Sequence, residues 1–388
     1  MYLPTTPAEL ASLGWDQLDI ILVSGDSYID SPYIGTAVIG KLLTERGYRV
    51  GVIAQPDVNS AQDIGRLGEP RLFWGVTAGS TDSMDANNTP LKKKRRRDDY
   101  TPGGINDRRP NRATIVYTNM IRRYFKSTLP IVLGGIEASL RRIAHYDFWS
   151  NKIRRSILFD SKADYLLYGM AEKAVLELAD ALKTGQDVRQ LRGLCYIASE
   201  PVQPYTELPS FEYVQQDKLA FIDMFHAFYK NNDPLTAQGL FQRHGDRYLV
   251  QNPPQPYLSQ AELDGVYALP FERAQHPYYE SQGSVRALDT IRFSIPTHPG
   301  CYGECNFCAI AVLEGRTVRW RSQDSILSEA RELTEHAGFK GYIQDVGGPT
   351  AKMYGFECDK KLTHGVCSNK RCLYPESCHL LKVDHQPQ

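Results

Sequence analysis

Short apolar runs alternate with amphipathic segments along the first half of the chain. Residues 19–25 are apolar almost throughout and end in a turn residue, as expected of a strand buried on both faces. Residues 34–46 place their apolar positions at helical spacing. Further strand patterns lie at 49–54, 71–76, 130–133, 163–167 and 194–198, and further helix patterns at 112–125 and 171–182. This alternation predicts an α/β fold with a doubly wound parallel sheet.

The turns that follow these strands form the first candidate site. Ligands of doubly wound sheets bind beyond the carboxyl ends of the strands. The turns at 25–30, 75–79, 134–139 and 169–172 would converge on one crevice there. None of them has G-x-G-x-x-G or P-loop spacing, so the sequence supports neither a dinucleotide nor ATP as the ligand.

The pattern changes after residue 199. Residues 200–286 are richer in proline and tyrosine, with helix patterns at 211–229 and 260–267 and a strand pattern at 247–251. We therefore predict a doubly wound domain over 1–199, a connecting subdomain over 200–286 and a third segment over 287–388.

The third segment begins with a strand-like run at 290–295, and three cysteines follow it closely. Cys301, Cys305 and Cys308 have C-x3-C-x2-C spacing. A cubane iron–sulfur cluster takes one ligand per iron, so three thiolates would leave its fourth iron open to another molecule. The alternative is a structural zinc site with His298 as the fourth ligand, because closed zinc sites accept mixed Cys and His sets.

Composition restricts the function further. The formal net charge is zero, so no overall field attracts nucleic acid or an anionic membrane. The first ten residues lack the pattern of a signal peptide, and no apolar stretch is long enough to span a membrane. We expect a cytoplasmic protein without a membrane partner, in which the eight cysteines serve metal or redox chemistry instead of disulfides.

Two clusters have no single interpretation from sequence. Residues 92–97 are six consecutive basic residues in a long insertion; they are either a solvated loop or a contact for phosphate or nucleic acid. Nucleic acid is thus possible, although no aromatic residues for base stacking interrupt the run. Four later cysteines either close around zinc or a second cluster or are free thiols: Cys358, Cys367, Cys372 and Cys378.

The first cysteine motif resembles the signature of radical S-adenosylmethionine (SAM) proteins. In that family the open iron of a 4Fe–4S cluster chelates SAM, and an aromatic residue before the last cysteine lies near the adenine; Phe307 has that position. A helix pattern from Ser322 and a strand pattern at 341–345 lead to Gly347 and Gly348. These glycines resemble the turn whose backbone carbonyls contact the SAM amino group, after the second strand of a radical SAM (βα) barrel.

Over nearly the whole chain the resemblance is to the YgiQ-type radical SAM proteins. It rests on the segments 24–28 (SGDSY), 53–57 (IAQPD), 133–139 (LGGIEAS), 290–294 (TIRFS) and 346–350 (VGGPT). It implies an enzyme that, with an external electron donor, cleaves SAM reductively to a 5′-deoxyadenosyl radical and acts on an unknown substrate.

The first domain also resembles the cobalamin-binding-like domains that precede many radical SAM barrels. It lacks their D-x-H-x-x-G sequence, since Asp30, Ser31 and Pro32 stand at that place. Two alternative functions remain. One is a cobalamin-dependent radical SAM methyltransferase, and the other is a zinc-stabilised nucleic-acid-binding module.

The third segment is short for a whole barrel. A βα unit takes roughly 30 residues or more, and the barrels of the family have about six units. Only about 100 residues remain from Thr290 onward, and they end in a segment rich in cysteine and lysine with a polar tail at 384–388. We expect an N-terminal fragment whose barrel stops after its second strand.

Overall fold

The computed structural model describes residues 1–349 and 352–384. Thr350, at the end of the glycine turn, and residues 385–388 of the predicted polar tail lie outside the described residues. The strands in chain order are β1 Ile20–Ser24, β2 Ile29–Asp30, β3 Val50–Ala54, β4 Phe73–Thr77, β5 Ile131–Leu133, β6 His145–Asp147, β7 Lys152–Arg154, β8 Tyr165–Leu167, β9 Leu194–Ala198, β10 Thr206–Leu208, β11 Leu240–His244, β12 Arg247–Gln251, β13 Ala274–Gln275, β14 Ser294–Pro296 and β15 Asp345–Gly347.

Helices occupy most of the segments between these strands. Two short 3-10 turns, Pro102–Gly104 and Val188–Gln190, accompany them. The α-helices in chain order are α1 Pro7–Ser12, α2 Gly35–Glu45, α3 Ala61–Gly65, α4 Ser83–Asn87, α5 Ala113–Tyr124, α6 Gly135–Leu140, α7 Ile157–Ser161, α8 Glu172–Thr184, α9 Phe211–Gln216, α10 Lys218–Lys230, α11 Gln260–Tyr267, α12 Pro277–Glu280, α13 Leu288–Ile291, α14 Ile310–Leu313, α15 Gln323–Glu335 and α16 Asp359–His364.

A nine-stranded sheet forms the centre of the molecule, in the order β10-β11-β12-β9-β8-β5-β4-β1-β3. Strands β3, β1, β4, β5 and β8 pair in parallel, with Ile20 of β1 opposite Val50 on one side and Phe73 on the other. All five residues of β1 are buried, because helices cover both faces of the sheet. This confirms the predicted α/β fold for the first 170 residues.

The two faces of β1 belong to two separate cores. Ile21 and Val23 pack in the core that contains α5, whereas Ile20 and Leu22 pack in the core that contains α2 and α8. The alternation follows from the two-residue period of a strand. Because both faces are apolar, β1 has the continuous apolar sequence that predicted it.

The prediction of an all-parallel sheet is wrong from β9 onward. Strand β9 pairs antiparallel with β8, and β12 pairs antiparallel with both β9 and β11. An apolar run such as 194–198 fits a buried strand of either direction, so its pattern carries no information about orientation. Part of the predicted connecting subdomain thus continues the central sheet through β10, β11 and β12.

The third segment forms a two-stranded parallel sheet of β14 and β15, connected through α15. Ser322 caps α15 as expected, its hydroxyl accepting a hydrogen bond from the Ser325 N–H at 3.1 Å. Both strand predictions began too early. Thr290 and Ile291 belong to α13, and Gly341, with a φ of +87°, keeps the chain irregular until Asp345.

Among residues 1–349 and 352–384, no helix is long and apolar enough to cross a membrane.

Candidate functional site

The three predicted cluster ligands lie in the loop between β14 and α14. Cys305 is exposed and the other two are half-buried. Gly303 lies between two of the thiols: its N–H donates to Cys301 Sγ at 3.3 Å, and a Cβ on it would lie 3.6 Å from Cys305 Sγ. The Cys308 N–H donates to the Cys305 carbonyl at 3.0 Å, which folds the loop into a turn. The thiols of Cys301 and Cys305 therefore both lie beside Gly303, and that of Cys305 is exposed to solvent.

No group of three or more His, Cys, Asp or Glu side chains converges on a single point within the part of the chain that the structure describes. A single ion such as zinc requires that convergence. A cubane gives each cysteine its own iron, so its ligands are spread around the cluster. The described residues thus contain no preformed closed zinc site, and the cluster stays the prediction for this loop.

His298, the alternative zinc ligand, faces away from this role. It is buried, its Nδ1 lies 2.8 Å from the Thr297 hydroxyl, and its Nε2 accepts the Met353 N–H at 3.3 Å. Both ring nitrogens are therefore engaged by protein groups.

A buried ionic cluster holds the cysteine loop in place. Glu304 lies between the first two cysteines with a φ of +48°, and its carboxylate accepts a hydrogen bond from Tyr229 at 2.9 Å. Arg316 lies 3.6 Å and Lys361 3.5 Å from the same carboxylate. All three charged side chains are at most 6% exposed. Burial at this level makes the pairing obligatory, because an unpaired buried charge is costly.

The later cysteines pack against the same loop. Cys358 and Cys372 are buried in a small apolar core with Tyr302, and Cys301 borders that core. Burial raises the pKa of the Cys372 thiol. The Leu380 N–H is the first of several donors that lower the pKa of Cys378. Apolar side chains of the C-terminal segment thus pack against the cysteine loop.

The predicted SAM contacts lie in two segments, with Phe307 in the cysteine loop and the two glycines at the end of β15. Phe307 is 93% exposed, so its ring is open to a ligand. Gly347 ends β15, where its carbonyl accepts the Thr297 N–H at 2.8 Å. A Cβ on Gly348 would lie 2.2 Å from His298 Nε2, so only glycine fits there.

The second candidate site is the crevice at the carboxyl ends of β1, β4, β5 and β8, a cavity of about 330 Å³. The turns predicted to converge there do so: Asp26, Gly79, Gly134 and Glu172 all line it. Leu313 at the end of α14 also lines the cavity, which connects the crevice to the helix after Cys308.

A buried ion cluster closes one side of the crevice. Arg109 lies 2.8 Å from Asp26 and 2.9 Å from Asp98. Asp98 directly follows the basic residues 92–97, so the end of this basic run lies beside the crevice. The position that would carry a cobalt-ligating histidine instead holds Asp30 and its neighbours, and Asp30 pairs with Lys41 at 2.8 Å.

The family description "Radical SAM N-terminal" matches residues 2–294. A UPF0313 protein of Fusobacterium nucleatum is 55% identical over 388 residues, covering 100% of this chain and 68% of the relative. A UPF0313 protein of Thermotoga maritima is 52% identical, covering 99% of this chain and 68% of the relative. The chain belongs to the UPF0313 family of radical SAM proteins. This membership confirms the predicted family and supports both predicted cofactors, a 4Fe–4S cluster and SAM.

Solved structures give a weaker similarity. The radical SAM methyltransferase TsrM from Kitasatospora setae, with tryptophan substrate and a SAM analogue bound, has a TM-score of 0.46 and 18% identity, covering 85% of this chain and 47% of that one. The same enzyme with cobalamin and a [4Fe–4S] cluster bound gives the same values.

Several residues of this UPF0313 family site were not predicted from sequence. Arg316 and Lys361 belong to no motif, and only the fold brings them to Glu304. The position of Glu304 inside the cysteine motif is the one signal that could have indicated its role.

Proposed function

We propose that this chain acts as a radical SAM enzyme and that Cys301, Cys305 and Cys308 bind its 4Fe–4S cluster. When bound, the cluster and SAM supply reductive cleavage: an electron from an external donor breaks the sulfur–C5′ bond of SAM, giving methionine and a 5′-deoxyadenosyl radical that abstracts hydrogen from a substrate. The observation that carries the proposal is three thiols in one exposed loop of a chain that belongs to a radical SAM family.

The chain's own contribution is to position and shield these groups. Glu304, held by Tyr229, Arg316 and Lys361, fixes the backbone between the first two cysteines. A fixed loop presents its thiolates without the entropic cost of ordering them.

Phe307 and the glycine turn are the proposed SAM contacts. The exposed Phe307 ring offers a face on which adenine stacks. Because the Gly347 carbonyl is already paired with Thr297, we assign the contact with the SAM amino group to the Gly348 carbonyl. We assign β14 and β15 to the first two strands of a radical SAM barrel.

The test is to replace Cys301, Cys305 and Cys308 with Ala and reconstitute the protein without oxygen. We expect the variant to lose one cluster's worth of iron, about four irons per chain, together with SAM-dependent 5′-deoxyadenosine release. Replacing the buried Cys195 of β9 with Ala is the matched control and should leave both unchanged. Full iron and visible absorbance in the triple variant would refute the assignment.

The alternative functions have their own measurements. A zinc-stabilised nucleic-acid-binding module would purify with stoichiometric zinc, without iron, and bind RNA with steep salt dependence. A cobalamin-dependent methyltransferase would retain cobalamin through gel filtration.

A further inference from the structure

The crevice at the carboxyl ends of the central strands contains polar atoms that lack partners. Glu172 is 8% exposed, and its Oε2 has no hydrogen-bond partner among the described residues. The same is true of the Tyr33 hydroxyl. Both side chains line the one cavity. Buried polar atoms are almost always paired, so these two indicate a molecule that occupies the crevice.

Two long helices begin at the crevice without a side-chain cap. The residues before α2 and α8 are Ile34 and Ala171, whose side chains contain no oxygen to accept the first N–H groups. Orphan donors at a helix start need a partner from elsewhere. The ends of α2 and α8 therefore favour a ligand with hydrogen-bond acceptors.

The side chains of the lining favour an uncharged ligand over an anion. The charged side chains that line the cavity are the acids Asp26 and Glu172, and Arg109, which contacts Asp26, is shared between Asp26 and Asp98. Burial raises the pKa of Glu172, which favours the neutral form of its carboxyl over the charged form. A phosphate or carboxylate would lose its hydration here without gaining an ion pair with a lining side chain, whereas an uncharged ligand loses far less.

The remaining walls are apolar and partly aromatic. Leu22, Phe73, Val132 and Val175 line the interior, and the rings of Tyr33 and Tyr267 border it. A Cβ on Gly35 or Gly134 would meet only open space, so packing does not require glycine at either position. A volume of about 330 Å³ suits a small ring system, since ligand pockets begin near 300 Å³. Aromatic walls favour a flat partner, because rings stack on one another.

We propose that this crevice binds an uncharged heteroaromatic molecule whose ring heteroatoms form hydrogen bonds with Glu172 and Tyr33. Leu313 of α14 forms part of the wall, so the bound molecule would lie between the central sheet and the helix that follows Cys308. Binding requires no iron, and the inference can therefore fail or hold independently of the proposed radical chemistry.

The test uses a matched pair of probes. Lumichrome is an uncharged three-ring heterocycle, and flavin mononucleotide adds a ribityl phosphate chain to a similar ring system. Equilibrium dialysis against the full chain, iron-free and reconstituted, should give saturable lumichrome binding and at least tenfold weaker binding of the phosphate compound. Glu172→Leu should raise the Kd for lumichrome about tenfold, whereas Glu172→Gln, which keeps a donor, should change it less than threefold.

Two further variants separate binding from folding. Ile39→Trp, at the half-buried edge of the cavity, should abolish binding while the melting temperature stays within a few degrees. Glu177→Leu is the control on the same helix, since Glu177 bonds Gln255 outside the crevice. The proposal is wrong if lumichrome fails to bind, if the phosphate compound binds more tightly, or if both Glu172→Leu and Ile39→Trp bind like the wild type.

Discussion

Tyr229 of α10 donates a hydrogen bond over 2.9 Å to Glu304, which lies inside the cysteine loop. The contact joins a helix beside the central sheet to the loop proposed to hold the cluster. Arg316 and Lys361 complete the cluster around Glu304, and Lys361 also donates to the Arg316 carbonyl at 2.7 Å. Through Lys361 the C-terminal helix α16 is tied to the cysteines.

Replacing Glu304 with Ala should destabilise this region strongly. The change leaves the Arg316 and Lys361 charges buried without their anion, which costs about 3 kcal/mol or more. We expect a lower melting temperature of the iron-free protein and a lower iron content after reconstitution. The measurement is differential scanning calorimetry together with iron analysis.

Two control variants distinguish charge from packing. Glu304→Gln keeps the acceptor for Tyr229 but removes the charge, so it should lie between the wild type and Glu304→Ala. Tyr229→Phe removes one hydrogen bond and should cost about 1 kcal/mol. Equal stability of wild type and Glu304→Ala would show that the ionic cluster does not support the loop.

The basic residues 92–97 should be dispensable for the iron site. Their backbone is held in place, since the Thr89 N–H donates to the Lys93 carbonyl and the Arg95 N–H to the Asn87 carbonyl, both at 2.8 Å. All six side chains are exposed. Changing Lys93, Lys94, Arg96 and Arg97 to Ser should therefore alter stability by less than about 0.5 kcal/mol and leave the iron content unchanged.

The other two basic residues of this run make local contacts. Lys92 donates to the Phe148 and Trp149 carbonyls at 2.9 and 3.2 Å, and Arg95 donates to the Asp85 carbonyl at 3.2 Å. Lys92→Ser with Arg95→Ser should thus destabilise the protein more than the fourfold change does. Binding of an anionic ligand is the one property that we expect the fourfold variant to lose, and loss of iron would contradict this prediction.

The sequence predicted the parallel half of the sheet well because its strands carry one simple signal. Strands such as β1 are buried on both faces, so an apolar run ending at a glycine is sufficient. The orientation of β9 was missed because pairing depends on a distant neighbour, β12, which the run at 194–198 does not encode. The cysteine loop was recognisable from spacing alone. Its support was not, because Glu304, Arg316 and Lys361 become a unit only through tertiary contacts.

Glu314 should make stability depend on pH. Burial raises its pKa from the usual 4.5 to about 7, while its carboxylate accepts the Gly300 N–H at 3.0 Å. The folded state therefore binds this proton more tightly than the unfolded state does. Proton binding by Glu314 therefore adds to the free energy of unfolding. This contribution is fully present below pH 4.5 and falls by about 3 kcal/mol as the pH rises towards 7.

The measurement is the melting temperature of the iron-free protein between pH 5 and 8. Glu314→Gln keeps an acceptor for Gly300 and cannot ionise, so its curve should be flatter and should lie above that of the wild type at pH 8. Parallel curves for the two proteins would mean that Glu314 ionises normally in the folded state.

Substitutions of Gly348 and His298 should partly compensate for each other in their effect on stability. A Cβ on Gly348 would lie 2.2 Å from His298 Nε2, and the buried imidazole is held by Thr297 at 2.8 Å and by Met353 at 3.3 Å. Gly348→Ala therefore has to displace either the ring or the glycine turn, and overpacking of this kind typically costs about 1–3 kcal/mol. His298→Ala creates space but leaves the Met353 N–H without its acceptor, which also destabilises the protein.

In the double variant the new methyl group enters the space left by the ring. The double variant should therefore lose less stability than the two single variants lose together, by about 1 kcal/mol. Urea unfolding of the wild type, both single variants and the double variant measures this difference. Gly338→Ala is the control, because a Cβ there would lie no closer than 3.5 Å to any neighbour. Strict additivity of Gly348→Ala and His298→Ala would mean that the turn moves away from the ring, and the glycine would then not be required by His298.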